Sequence, residues 1–292
     1  YKGFFLTHKY VSSLIDNARN SLVKNFYILK KNYPLKILHI TNFNNRFEGR
    51  LHYNTSKRLN NGFIRNGHNV LTISDRDVIS NNKSLKDMKG TKFLQKTTLN
   101  NIKNFKPQLV ILGHADAIDI ETIDYIKSNN IKIGQWFLDP VGKNTPDNIK
   151  NKDRLLSKSN YVDASFLTTD PKVLNFSSPN IFFIPNPSDH SFEILKNYER
   201  NTEYDLFFAM SHGVHRGTLK KGKFDNREEF LKKIIKYNKN LNFDFYGIND
   251  REPIWGDEFL NKVSNSSMGL NLSRGKPVKY YSSDRIAQLM GN

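Results

Sequence analysis

Leu35-Lys36-Ile37-Leu38-His39-Ile40, the polar loop 41–49, a helix-patterned stretch over 51–66, the stop Gly67-His68 and then Asn69-Val70-Leu71-Thr72-Ile73 together decide how this chain folds. A short apolar run bounded by polar residues reads as a strand. Two such runs joined by a helix-sized spacer form a βαβ unit, whose strands lie parallel in one sheet.

The same alternation continues outward. A helix over 93–105 precedes the strand Gln108-Leu109-Val110-Ile111-Leu112. A helix over 118–128 precedes a strand over 131–137, and one over 148–157 precedes Ala164-Ser165-Phe166-Leu167. Asn180-Ile181-Phe182-Phe183-Ile184 closes the set. Right-handed crossovers put the loops after these strands on one edge. Ile184-Pro185-Asn186-Pro187-Ser188-Asp189 then interrupts the pattern with two prolines, and Asp189 is expected to cap or anchor this connection rather than to react. Beyond it come strands at 204–209, 243–246 and 268–272, with helices over 227–237, 256–263 and 282–290. Ser282 or Ser283 supplies the last helix with an N-cap. Upstream, residues 1–34 read as a leading helical segment. The chain does not begin with Met and stops directly after a helical pattern, so a piece of a longer protein is expected, its second α/β unit incomplete.

Composition narrows the chemistry. A chain of 292 residues can bury a large core unaided. With no cysteine, it has no disulfide framework, thiolate metal site or cysteine nucleophile. The 45 Lys and Arg against 28 Asp and Glu leave a formal net charge of +17, which points to an anionic partner. Lys and Asn are both abundant, so part of that excess reads as compositional. No module for nucleic-acid recognition accompanies it. There is no GxGxxG after the first strand, no GxxxxGK[ST], no HExxH and no GxSxG. A standard dinucleotide site, a P-loop, a zincin centre and an α/β-hydrolase are therefore not expected.

In parallel α/β sheets ligands sit outside the carboxyl ends of the strands. Arg216, in a Gly-flanked loop, and Arg274, Lys276 and Lys279 follow strands of the second unit, and Ser282-Ser283-Asp284-Arg285 opens a helix. Guanidinium groups, ammonium groups and helix N-terminal amides all favour phosphate, so this group is expected to hold a diphosphate. In the first unit, His114 and Asp139 follow strands and are the candidates for a general base. Their alternative readings are a packed histidine and a turn aspartate before Pro140, while Asp116 is a candidate cap for the helix near Ile118.

Several segments resemble one family. Ile184-Pro185-Asn186-Pro187-Ser188-Asp189-His190-Ser191-Phe192 resembles the I-P-N-G-V-D-x-x-x-F connection of GT-B glycosyltransferases, with Pro187 and Ser188 in place of Gly and Val. Tyr204-Asp205-Leu206-Phe207-Phe208-Ala209 followed by Arg216 resembles the opening of their donor-binding domain. Ser267-Met268-Gly269-Leu270-Asn271-Leu272-Ser273-Arg274 and then Asp284-Arg285-Ile286-Ala287-Gln288-Leu289-Met290-Gly291 resemble the G-L-N … R-x-F-E-x-x-A-x-G block of the group 1, CgeB-like branch. Trp136-Phe137-Leu138-Asp139-Pro140 resembles its W-F-x-D-D-P strand end, with one Asp missing.

The resemblance covers about residues 35–292. It implies an α/β fold of two Rossmann-like domains with parallel sheets, the second incomplete. These are an acceptor-side domain over 35–186, a linker over 187–203 and a donor-binding domain over 204–292. It implies a metal-independent glycosyltransferase that moves a sugar from a nucleotide-sugar to a glycan or other acceptor in cell-surface glycan or polysaccharide synthesis. The alternative is a non-catalytic nucleotide-sugar or glycan-binding module. Catalysis is expected from His114 and Asp139. Donor binding is expected from Arg216, Arg274, Lys279, Ser282, Ser283, Arg285 and Gln288, and acceptor contacts from Asn44 and Arg46. Gln288 stands where the block has its ribose-binding Glu, and an amide accepts a hydrogen bond less strongly than a carboxylate. No cofactor, metal or nucleic acid is expected, and the location implied is cytoplasmic, with peripheral contact to an anionic membrane.

Overall fold

The structure is a computed structural model that describes residues 33–143, 145, 147–174, 180–211, 226–248, 251–273 and 276–292. The leading segment 1–32 lies outside them. Six strands form one parallel sheet: β1 (Lys36–Thr41), β2 (Asn69–Ser74), β3 (Leu109–Gly113), β4 (Lys132–Phe137), β5 (Ala164–Leu167) and β6 (Ile181–Phe183), in the order β2-β1-β3-β4-β5-β6. Three more form a second parallel sheet in the order β8-β7-β9, with β7 (Tyr204–Ala209) central between β8 (Phe243–Tyr246) and β9 (Ser266–Gly269). The chain is therefore an α/β protein with two parallel sheets.

The helices are α1 (Thr55–Arg65), α2 (Asp75–Asn81), α3 (Thr91–Phe105), α4 (Ile120–Ser128), α5 (Asn148–Ser159), α6 (Asn226–Tyr237), α7 (Gly256–Val263) and α8 (Arg285–Gly291). Side-chain alternation along each strand sorts the core onto two faces. Leu38 and Ile40 of β1 join Leu94 and Ile102 of α3 and Ile123 and Ile126 of α4. Ile37, Ile111 and Trp136 pack on the opposite face with Leu59 and Phe63 of α1. The second sheet repeats the plan. Phe207, Ala209 and Tyr246 meet Phe259, Leu260 and Val263 of α7, whereas Phe208, Met210 and Phe245 meet Leu231 of α6.

Local chemistry fixes the helix starts. Asn54 caps α1 by accepting from the Lys57 amide at 3.0 Å. Asp119 caps α4 through the Thr122 amide at 2.8 Å, so the cap is Asp119 and not Asp116. The last helix begins at Arg285 rather than 282, with Asp284 at the N-cap and no side-chain cap bond. The serines expected to cap it serve elsewhere. Asn186 Nδ2 donates to the Ser282 carbonyl and hydroxyl at 2.9 and 3.1 Å, and Ser283 donates to Asn271 Oδ1 at 2.6 Å. The strand expected over 268–272 runs instead over Ser266–Gly269, because Tyr204 pairs with Ser266 and Phe207 with Gly269. A Cβ at Gly269 would sit 2.5 Å from Leu289, so this glycine lets α8 close onto β9. Helix α2, to which the sequence reading assigns no element, follows β2 without a break.

The two sheets meet through α1 and the segment after β6. Arg58 pairs with Glu193, and Arg65 with Asp189, to which Asn61 also donates at 2.7 Å. Asp189 thus anchors this connection, and desolvation is outweighed there by the bonds from Arg65, Ser191 and Asn61, which hold its carboxyl well below the usual range. Residues 276–284 of the second half lie along the carboxyl ends of β4, β5 and β6. Val278 abuts Gly142, where a Cβ would be 2.8 Å from its methyls; Lys279 pairs with Asp170 at 3.1 Å; and Tyr280 packs on Phe183. On the other flank, Arg50 after β1 stacks over the Trp255 ring at 4.5 Å.

Candidate functional site

The carboxyl edge of the first sheet carries a compact charged cluster. His114 and Asp116 follow β3, Asp139 follows β4, and Arg154 projects from the second turn of α5. Arg154 donates to Asp116 at 2.7 Å through Nη2 and at 3.1 Å through Nε, and to Asp139 Oδ2 at 3.0 Å through Nη1. One guanidinium fork therefore spans two carboxylates, the geometry its planar donors suit best. Arg76 at the start of α2 approaches Asp116 from the far side at 3.5 Å. Arg154 also borders an open depression of about 510 Å³ lined by Asp147, Asn148, Ile149, Lys150 and Asp153.

His114 sits at positive φ (48°) and stacks on Phe137, with ring centroids 4.3 Å apart. The Leu138 amide donates to its Nε2 at 2.9 Å. Nδ1 lies 3.2 Å from Arg154 Nη2 and 3.6 Å from Asp139 Oδ2. Burial pushes the imidazole down to about 4, against the opposing pull of Asp139, so the ring is neutral near pH 7. Both ring nitrogens thus face a donor, the Leu138 amide at Nε2 and Arg154 at Nδ1. Asp139 differs: its side chain is 42% exposed, and among the described residues no donor is bonded to Oδ1.

The other expected residues are placed as follows. Arg46 pairs with Asp77 of α2 at 2.5 Å, donates to Asn42 at 3.1 Å and stacks over Phe47. Asn44 takes a left-handed conformation (φ 62°) and accepts from Asn42 Nδ2 at 2.8 Å. Both are thus bound up in shaping the loop after β1, which Asp77 holds. Lys279 is exposed, and its pairing with Asp170 raises its pKa. Arg285 donates to the carbonyls of Ala209, at the end of β7, and Leu272, after β9, the latter at 2.6 Å. It ties together the ends of two adjacent strands at the point where strand order reverses, which is where such sheets bind ligands. Gln288 is half-buried one turn further along α8. Arg216 and Arg274 lie outside the described residues.

Sequence reasoning missed Arg154 and Asp77. Arg154 is one cation in a Lys-rich helix, and its partners Asp139 and Asp116 are 15 and 38 residues away. Asp77 is one of several polar residues after β2, yet it receives the Asn45 amide at 2.7 Å and so fixes the loop after β1. Neither carries a local signal. Among the described residues, no group of three or more His, Asp or Glu is placed to hold a metal ion, and no helix is long and apolar enough to cross a membrane.

No family model matches the chain, and no curated protein matches it. Among solved structures, the chain is similar to a proposed UDP-N-acetylglucosamine 2-epimerase from Listeria monocytogenes, at 11% identity and a TM-score of 0.43, over 81% of this chain and 74% of that one. It is also similar to the UDP-GlcNAc 2-epimerase from Neisseria meningitidis bound to UDP-GlcNAc, at 13% identity and a TM-score of 0.41, over 80% and 76% of the two chains.

Proposed function

We propose that this chain is a nucleotide-sugar enzyme of the GT-B type, and specifically a glycosyltransferase of the CgeB-like branch. The observation that carries the reading is Asp139, held by Arg154 at the carboxyl edge of one parallel sheet while residues 276–284 from the carboxyl edge of the other lie along the same side.

In this reading the donor lies over the ends of β7 and β9. Arg285 fixes the backbone there, and Lys279, with Arg216 and Arg274, supplies positive charge to the diphosphate. Asp139 Oδ1 takes the proton from an acceptor hydroxyl as that oxygen bonds to the anomeric carbon. The bond from that carbon to the phosphate oxygen breaks, and the nucleoside diphosphate leaves with both electrons. Cationic groups stabilise the charge that develops on it. His114, neutral and with Nε2 occupied, holds the loop after β4 in place rather than accepting the proton. Asn44 and Arg46 shape the acceptor side.

A thermal-shift panel of nucleoside diphosphates and nucleotide-sugars tests the reading, since a ligand bound only by the folded state raises the midpoint. A donor that stabilises the protein and is turned over with an acceptor supports the transferase. Stabilisation without turnover identifies the non-catalytic binding module. No shift from any nucleotide or nucleotide-sugar overturns both.

A further inference from the structure

Leu85 and Met88, in the loop joining α2 to α3, are 99% and 79% exposed. Large apolar side chains that stand this clear of a protein call for an explanation when they cluster. The loop presenting them is built rather than slack. Ser84 and Asp87 exchange both backbone hydrogen bonds, at 3.0 and 3.1 Å. Asp87 Oδ2 accepts from the Phe93 amide at 3.0 Å in the first turn of α3. Gly90 turns the chain at φ 70° against the Ile79 carbonyl, where no Cβ fits. Lys83, Lys86, Lys89, Lys92 and Lys96 surround the tip, all exposed, and Asp87 is the one acidic residue between 81 and 96.

We infer that this knuckle docks the protein onto an anionic phospholipid bilayer, with Leu85 and Met88 entering the acyl boundary and the lysines meeting the headgroups. The composition decides between a bilayer and a protein partner. Protein interfaces are depleted in Lys and enriched in aromatics and Arg, and their anchors fill pockets. Here two flexible aliphatic side chains, with the partly exposed Phe93 of α3, stand among five exposed lysines and no arginine, an arrangement that needs no complementary pocket and suits a fluid, negatively charged surface. The position suits a membrane-bound acceptor as well. Gln95 of α3 donates to the Ala117 carbonyl at 2.6 Å, directly after His114 and Asp116, so the knuckle and the charged cluster share one edge of the sheet.

Because the chain has no cysteine, Leu85→Cys gives one attachment point for an environment-sensitive dye. Vesicles of phosphatidylcholine mixed with phosphatidylglycerol should shift its emission to the blue, and pure phosphatidylcholine vesicles should not. A dye at Tyr198→Cys, 81% exposed and beside the second sheet, should stay unshifted. Replacing Lys86 and Lys89 with Glu should weaken sedimentation with anionic vesicles on the order of tenfold or more. Leu85→Ser with Met88→Ser keeps the charge and should weaken it by about tenfold, from the apolar burial it removes. These side chains make no core contacts, so the variants fold. An unshifted dye on vesicle-bound protein, unchanged binding by the double serine variant, or no binding to anionic vesicles overturns the assignment. Docking does not depend on whether the cleft transfers sugar, so vesicle binding and donor binding succeed or fail separately.

Discussion

Arg58 and Glu193 form an ion pair at 2.5 Å with side chains only 1% and 2% exposed, joining α1 to the segment that leaves the first sheet. Glu193 spends its second oxygen on the Asp189 amide, and Arg58 also donates to the Tyr53 carbonyl at 3.3 Å. A buried charge left without its partner is costly, whereas an apolar pair of similar volume is not. Arg58→Ala should therefore cost about 3–5 kcal/mol of stability. Arg58→Met combined with Glu193→Leu should recover most of that loss. Urea unfolding of the three proteins checks this, and equal losses in the single and double variants would contradict it.

Acid should destabilise the fold through His39. This residue is fully buried in β1, accepts from Trp136 Nε1 at 3.3 Å and faces Asn60 Oδ1 at 3.4 Å. Burial lowers it from 6.5 to about 4. The unfolded chain thus binds a proton that the folded chain refuses between those values. Stability is fully present above pH 6.5 and falls as the pH drops toward 4, by about 3 kcal/mol for a shift of this size. Asp75, pushed up to about 6 by burial, works in the opposite direction over 3.8–6 and offsets part of the loss. The difference between wild type and His39→Gln, measured by urea titration from pH 4 to 7, isolates the histidine. Parallel curves would refute its role.

Asp139→Asn should lower kcat by about 100- to 10,000-fold, the usual worth of a general base, while the thermal shift given by the donor is retained. Arg154→Ala should lower kcat as well, because Asp139 loses the group that orients it. A loss of donor binding in either variant, with kcat unaffected at saturation, would remove Asp139 from the role of base.

Arg285→Lys should uncouple the ends of β7 and β9, since an ammonium cannot span both carbonyls as a guanidinium fork does. A cost of about 1–3 kcal/mol is expected from the acceptors left unmade. Loss of the donor-induced thermal shift should accompany it. A donor shift of normal size would separate Arg285 from the site.

Eight of the nine described strands were legible because their apolar runs are short and bounded by polar turns. β9 was placed two residues late because Ser266-Ser267-Met268-Gly269 has little apolar signal and its register is set by pairing with β7. The seven-residue α2 was not assigned because it follows β2 directly and opens on Asp75, Arg76 and Asp77, which carry no apolar period. His114 and Asp139 were chosen as candidates from position alone, as residues following strands. That one nitrogen of His114 is engaged by the Leu138 amide, and that Arg154 bridges two carboxylates, arises from contacts between distant segments and leaves no pattern in the sequence.

The second half of the chain covers both flanks of β3. Val278, Lys279 and Tyr280 cover the ends of β4 to β6, and Trp255 covers the loop after β1. In the sheet order β3 lies between β1 and β4, so Asp116, 42% exposed, stands between these two covered flanks. The loops that carry His114, Asp116 and Asp139 are therefore braced by chain more than a hundred residues away, so a change at Val278, Lys279 or Trp255 is felt at the edge of the first sheet.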